Sequence, residues 1–309
     1  MLALVLYTSL ISALFAQVGA EAVLQSGWPP PLSPATDCFA TCFSSADTDG
    51  DLCPEVFKYT PSFGNITKVL CDGTVALDWV FDSASVGAVI GRRDSLYFGD
   101  IDGDGIDEIM MVPSAGQYWL FAVEPTGEDV PGWPIVVGDG GYLGRVAVDD
   151  VNGDGLDEII IVEYLGLVQS RIWIYDGQGQ PLPGWPQTVP DLAAGLAVGD
   201  LEFDGEKDIV VTIGNWDPYA GPFPIYVFAP DGTVRPGWPV TLTPAPGAPG
   251  TLHTMAIADL DGDYQCELLG SGPSTGPSTD VLYVLHSDGS PAQNPLFGGG
   301  LRRPAIGNL

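Results

Sequence analysis

Five segments of this chain place oxygen-bearing side chains at the same spacing. They read Asp47-Thr-Asp-Gly-Asp-Leu-Cys-Pro-Glu55, Asp100-Ile-Asp-Gly-Asp-Gly-Ile-Asp-Glu108, Asp150-Val-Asn-Gly-Asp-Gly-Leu-Asp-Glu158, Asp200-Leu-Glu-Phe-Asp-Gly-Glu-Lys-Asp208 and Asp259-Leu-Asp-Gly-Asp-Tyr-Gln-Cys-Glu267. Positions 1 and 5 are always Asp, and position 9 is always an acid. Alternate side chains of a curled loop converge on one point, and glycine lets the backbone bend where a Cβ would clash. A ligand set made of oxygens, mostly charged, suits Ca²⁺ rather than a transition metal. A single Asp-Gly turn is commonly just a solvated turn; five at matched positions point to a repeated cation site.

The candidate ligands are Asp47, Asp49, Asp51 and Glu55; Asp100, Asp102, Asp104 and Glu108; Asp150, Asn152, Asp154 and Glu158; Asp200, Glu202, Asp204 and Asp208; and Asp259, Asp261, Asp263 and Glu267. Position 7 adds a backbone carbonyl from Cys53, Ile106, Leu156, Glu206 or Gln265. An EF-hand is excluded, since it needs Glu at position 12 and flanking helices. Here position 12 is Lys58, Met111, Ile161, Val211 or Gly270, and the flanks read as strands. The loops at 100 and 150 are complete. The loop at 200 has Glu202 for the shorter ligand and Phe203 for glycine, while Tyr264 and Leu52 replace glycine in the loops at 259 and 47.

Successive loops start at residues 47, 100, 150, 200 and 259. A period of about fifty residues calls for a repeat architecture. Each unit has four strand-like runs, as in Val146–Asp149, Glu158–Val162, Ser170–Tyr175 and Pro183–Val189. The last run carries Gly-Trp-Pro at 132–134, 184–186 and 237–239, with a looser counterpart at Asp78-Trp79-Val80. Its proline suits an outer edge strand, where no ladder bond is lost. The expected fold is therefore an all-β propeller of four-stranded blades, with about five blades and the start of a sixth. Ala305-Ile-Gly-Asn-Leu309 matches Ala197-Val-Gly-Asp-Leu201, so the chain reads as truncated and its ring as incomplete. Gly27-Trp-Pro29 has no strands before it and is expected to lend an outer strand to the last blade.

Acids outnumber bases 40 to 10, giving a net charge of −30. Nineteen of those acids sit at motif positions 1, 3, 5 and 9, so the acidity is largely a property of the loops. This balance argues against nucleic-acid binding, which needs a basic footprint. Residues 1–20 are uncharged and mostly apolar, with small residues at Ala20 and Ala22. Residues 1–22 are read as a signal peptide or an uncleaved anchor, although no Lys or Arg lies near Met1. Residues 23–309 are read as the propeller. The implied location is secreted or cell-surface, with membrane contact only through such an anchor. Of five cysteines, Cys38, Cys42, Cys53 and Cys71 cluster and allow three pairings, leaving Cys266 as a lone thiol.

The D-x-D-x-D-G-x-x-D loop on a four-stranded repeat resembles the FG-GAP/VCBS family, known from the integrin α-chain β-propeller. The resemblance covers roughly residues 23–309 and implies Ca²⁺ held in the hairpin between the first two strands of each blade. The family's Phe-Gly/Gly-Ala-Pro cage motif is mostly absent here. Two function classes remain open. One is a cell-surface or extracellular binding and adhesion scaffold that takes a protein or glycan on the face opposite the calcium loops. That face is expected to carry Arg92, Arg93, Tyr142, Arg145, Trp216, Tyr219 and His253. The other is a calcium-dependent polysaccharide lyase or hydrolase, or the non-catalytic propeller of one. Little supports catalysis: the only histidines are His253 and His286, and Gly272-Pro-Ser-Thr-Gly276 lacks the helix of a nucleophile elbow.

Overall fold

A computed structural model describes residues 42–51, 53–60, 65–70, 72–80, 96–111, 118–214, 223–242, 252, 254–273, 280–292 and 296–298. The leader reading, Gly27-Trp-Pro29, the segment 305–309, Arg92, Arg93, Trp216, Tyr219 and His253 lie outside these residues. The described residues form five sheets, each of four strands paired antiparallel in chain order. The first holds β1 (Cys42–Ala46), β2 (Glu55–Thr60), β3 (Asn65–Val69) and β4 (Val75–Val80). The second holds β5 (Tyr97–Gly99), β6 (Glu108–Met111), β7 (Trp119–Val123) and β8 (Ile135–Val136). The third holds β9 (Tyr142–Asp149), β10 (Glu158–Tyr164), β11 (Gln169–Tyr175) and β12 (Gln187–Pro190). The fourth holds β13 (Leu192–Gly199), β14 (Asp208–Gly214), β15 (Phe223–Phe228) and β16 (Val240–Leu242). The fifth holds β17 (Thr254–Ala258), β18 (Glu267–Pro273), β19 (Asp280–Leu285) and β20 (Leu296–Gly298). These are the blades of an all-β, propeller-type fold. Among the described residues, no helix is long and apolar enough to cross a membrane.

The second strand of each central blade is an unbroken apolar run because both of its faces are covered. In β10, Ile159, Ile160, Ile161 and Val162 are all fully buried. Successive side chains of a strand point to opposite faces. Accordingly, Ile159 and Ile161 join Met110, Leu120 and Trp133 of the second blade. Ile160 and Val162 join Ile209, Val211 and Phe228 of the fourth. The same parity places Met110 toward the third blade and Ile109 and Met111 toward Phe57 and Ile66 of the first. Val210 faces Leu268 and Leu285 of the fifth. Blades therefore share cores pairwise, and burying each such side chain contributes about 1.5–3 kcal/mol.

The Gly-Trp-Pro motif differs from its expected role. The outer strands begin at Ile135, Gln187 and Val240, just after the motif, so it forms the bend that leads into them. Its Trp-Pro peptide bonds at 133–134, 185–186 and 238–239 are cis. The tryptophans turn inward and are buried. Trp133 Nε1 donates to Gly177 O of the third blade at 3.1 Å, and Trp185 Nε1 donates to Pro230 O of the fourth at 2.8 Å. Trp238 lies against Gly289 of the fifth. Each indole thus joins its blade to the turn between the third and fourth strands of the next. Trp79 is different, since it sits within β4 and pairs with Ile66.

Trp185→Ala is expected to destabilise the protein by about 3–5 kcal/mol through the cavity it leaves. Trp185→Phe, which keeps the contact with Phe228 but loses the indole bond, should cost about 1 kcal/mol of hydrogen bonding plus a smaller loss of packing. Denaturant unfolding midpoints measure both, and equal midpoints for wild type and Trp185→Ala would contradict the proposed link between blades.

Candidate metal centre

All five acidic segments form the hairpin between the first and second strands of a blade. In each, the residue before position 1 pairs with the acid at position 9: Ala46 with Glu55, Gly99 with Glu108, Asp149 with Glu158, Gly199 with Asp208, and Ala258 with Glu267. The loop at 100 shows how the sequence curls it. Asp100 Oδ1 accepts the Gly103 N–H at 2.7 Å, and its Oδ2 accepts the Gly105 N–H at 2.9 Å. Asp102 Oδ1 accepts the Asp104 N–H, and Asp104 Oδ1 accepts the Ile106 N–H. Glu108 folds back so that Oε2 accepts the Ile101 N–H at 2.9 Å. These short loops close on themselves because Asp side chains bond backbone groups two or three residues on.

In the second to fifth loops φ is positive at positions 4 and 6, as at Gly103 and Gly105. The fourth and fifth loops each adopt that conformation once without glycine, at Phe203 (φ 58) and Tyr264 (φ 67). Both rings are exposed and meet edge to face across the two blades, with centroids 5.8 Å apart. A bulky residue is an outlier in this region.

The acids converge unequally. Ligand oxygens of Asp47, Asp49, Asp51 and Glu55 lie within 4.8 Å of one another, as do those of Asp100, Asp102 and Glu108, and those of Asp259, Asp261 and Asp263. Asp104 and Glu267 stand outside these tight groups. In the loop at 150, Asn152 takes a ligand position. Its Nδ2 donates to Glu158 Oε1 at 2.8 Å, and its Oδ1 accepts the Asp154 N–H at 2.8 Å. In the loop at 200, Arg235 pairs with Asp208 at 2.6 Å and with Glu206 at 3.2 Å. Elsewhere, Lys68 Nζ lies 3.3 Å from Glu55, and His286 Nδ1 lies 3.5 Å from Glu267.

The loop at 100 fits a hard cation best. Glu108 is fully buried, and its Oε1 has no hydrogen-bond partner. Burial pushes its pKa up to about 8; the carboxylates of Asp102, Glu124 and Asp100 add to the rise, while the Ile101 N–H opposes it. Burial likewise raises Glu158 to about 7, against the pull of the Val151 N–H. No Lys, Arg or His among the described residues forms an ion pair with the loop at 100. An orphaned buried carboxylate oxygen beside further acids suits a divalent ion, the donor set that hard cations take.

Position 8 couples neighbouring hairpins. Asp157 N donates to Asp100 O at 2.8 Å, and Asp157 Oδ2 accepts the Asp100 N–H at 3.0 Å. A Cβ on Gly99 would meet that same carboxylate at 2.5 Å, so glycine is needed for the approach. Lys207 contacts Asp149 at 3.1 Å, and Cys266 N donates to Leu201 O. Cys266 is free and buried, and Cys53 is disulfide-bonded. Sequence reasoning missed Glu163, a fully buried acid that ends the apolar run of β10. Its Oε1 accepts the N–H groups of Asp139 and Gly141, and its Oε2 accepts Trp173 Nε1–H. It fixes the link between the second and third blades, and Arg171 pairs with Asp139 there. An acid interrupting Ile-Ile-Ile-Val was the available signal.

Residues 150–211 match the FG-GAP-like repeat family. No curated protein matches the chain by sequence. Among solved structures it is similar to the V. cholerae biofilm matrix protein Bap1, at 19% identity and a TM-score of 0.47, over 82% of this chain and 38% of that one. It thus spans well under half of Bap1. It is also similar to a protein of unknown function from Bacteroides caccae, at 12% identity and a TM-score of 0.42, over 77% of this chain and 70% of that one.

Because the folded pKa of Glu108 lies above its free value of 4.5, the metal-free folded state holds a proton that the unfolded state releases. The stability this proton gives is present below 4.5 and is lost as pH rises toward 8. Thermal melts in excess chelator should therefore show a midpoint that falls across this window. Glu108→Gln should flatten part of the fall, and identical pH profiles for the two proteins would contradict the buried, unpaired carboxylate.

Proposed function

We propose that this chain, which carries an FG-GAP-like repeat at residues 150–211, is an exported, calcium-stabilised propeller that serves as a binding scaffold at the cell surface or in the extracellular matrix. The single observation that carries this reading is the loop at 100, where Asp100, Asp102 and Glu108 gather around a buried oxygen that no protein group satisfies. Ca²⁺ is assigned to Asp100, Asp102, Asp104 and Glu108, and by the same spacing to the loops at 47, 150 and 259. Like charges so close repel, and a divalent ion reverses the sign of that interaction. Calcium at about 100 times its Kd contributes about 2.7 kcal/mol per site. Weak sites of this type fill where calcium is near millimolar, which agrees with residues 1–22 acting as an export signal or anchor and residues 23–309 as the propeller.

The face opposite the hairpins is the proposed contact surface for a protein or glycan. Tyr142 begins β9 at the end farthest from Asp149, pairs with Tyr164, and is 71% exposed. Arg145 of the same strand is also exposed and donates to Ala194 O of the next blade at 3.1 Å. Aromatic and arginine side chains are frequent anchors of interfaces.

Calcium is expected to raise the melting midpoint, and chelator to reverse the rise. The double variant Asp102→Ala, Asp104→Ala should lose part of it. A melting curve indifferent to calcium and chelator would overturn the calcium reading. Loss of binding to cells or to an arrayed glycan set on Tyr142→Ser, with an unchanged melting curve, would support the assigned contact face. Unchanged binding would move the contact elsewhere.

A further inference from the structure

We infer that Arg235 takes the metal's place in the fourth hairpin, so that this blade is closed by a guanidinium and binds no calcium. The inference rests on the calcium reading of the other hairpins and concerns which of the five repeats has left it.

The geometry is that of a fixed cation among the loop's own acids. Arg235 Nε donates to Asp208 Oδ1 at 2.6 Å, Nη2 lies 3.2 Å from Glu206 Oε2 as an ion pair without a hydrogen bond, and Nη1 lies 4.0 Å from Asp204 Oδ2. Asp208 and Asp204 are positions 9 and 5 of the motif. The side chain of Asp208 is 1% exposed and that of Arg235 is 14% exposed, so the pair is withdrawn from solvent. Asp208 Oδ2 accepts the Leu201 N–H at 3.0 Å, the bond that Glu108, Glu158 and Glu267 make in their own loops. Its other oxygen, which in the second loop is the orphan, here faces the guanidinium. A divalent ion bound by Asp208 and Asp204 would have to share both carboxylates with a buried positive charge.

The repeat supplies an independent argument. Arg235 N donates to Val227 O, just as Val130 N donates to Ala122 O, Leu182 N to Ile174 O, and Ala292 N to Val284 O. The four residues are therefore equivalent positions in successive blades. Three are apolar, and only the fourth blade places a base there. That blade is also the one whose loop departs from the motif at three positions: Glu202 at position 3, Phe203 at position 4, and Asp208 as the shorter acid at position 9. Among the described residues, no group of its acids converges as those of the loops at 47, 100 and 259 do. The loop at 150 lacks such a group too, but among the described residues no base pairs with its acids, so only the loop at 200 combines the two features.

The test counts calcium ions bound per chain by equilibrium dialysis on the full protein, using two variants at equivalent, exposed positions. Asp104→Asn should lose one ion relative to wild type, and Asp204→Asn should lose none. Loss of one ion in Asp204→Asn would overturn the inference. A second arm is read in chelator, where calcium cannot contribute. There Arg235→Gln should lower the melting midpoint and Arg235→Lys should restore part of it. An unchanged midpoint in Arg235→Gln would also overturn the inference. If wild type binds no calcium at all, the calcium reading falls by itself, and the chelator arm still decides whether Arg235 closes the hairpin.

Discussion

The interaction on which the rest of this structure depends is the repulsion among carboxylates gathered at the hairpin tips, most closely in the loops at 47, 100 and 259. Acids within a few ångströms of one another repel, and the cost is greatest for the buried acid at position 9, such as Glu108. The five blades meet this constraint differently. The first sets Lys68 against Glu55, the third replaces one acid with Asn152, the fourth brings in Arg235, and the fifth keeps Asp259, Asp261 and Asp263 together. The second leaves Glu108 buried with an unsatisfied oxygen. For that oxygen, which no protein group satisfies, an ion from solution is a fitting partner.

The hairpins also bear on how the blades hold together. Position 8 of one loop reaches the preceding blade, through Asp157 to Asp100 and through Lys207 to Asp149. At the outer side, Trp133 and Trp185 reach the following blade. Between these two levels, the second strands divide their apolar residues by parity between neighbours on either side. A cation at a hairpin tip therefore stabilises more than its own turn, since in a repeat array each unit is stable chiefly through its neighbours.

Much of this was legible in the sequence. Alternate acids with interspersed glycine located all five hairpins, and the apolar runs after them located the second strands. The Gly-Trp-Pro repeat was visible, but its role was misassigned because an edge strand and the bend before it have the same composition. What decided the matter was the tryptophan's partner, a carbonyl about 45 residues away in the next blade. Long-range partners account for the other gaps too. Nothing local marks Lys68 as the counter-charge of Glu55, or Glu163 as the acceptor for Asp139 and Gly141. Arg235 was within reach of sequence alone, by aligning the residue two before each Gly-Trp-Pro and finding Val130, Leu182 and then a base. Phe203 and Tyr264 look like defects in single loops, and their mutual contact is visible only when the two blades stand side by side.

The most direct test of the central claim is anomalous diffraction from crystals grown in calcium, recorded at a wavelength where calcium scatters anomalously. The account predicts a peak coordinated by Asp100, Asp102 and Glu108. A flat map at that hairpin, with the three carboxylates turned apart into solvent, would contradict it.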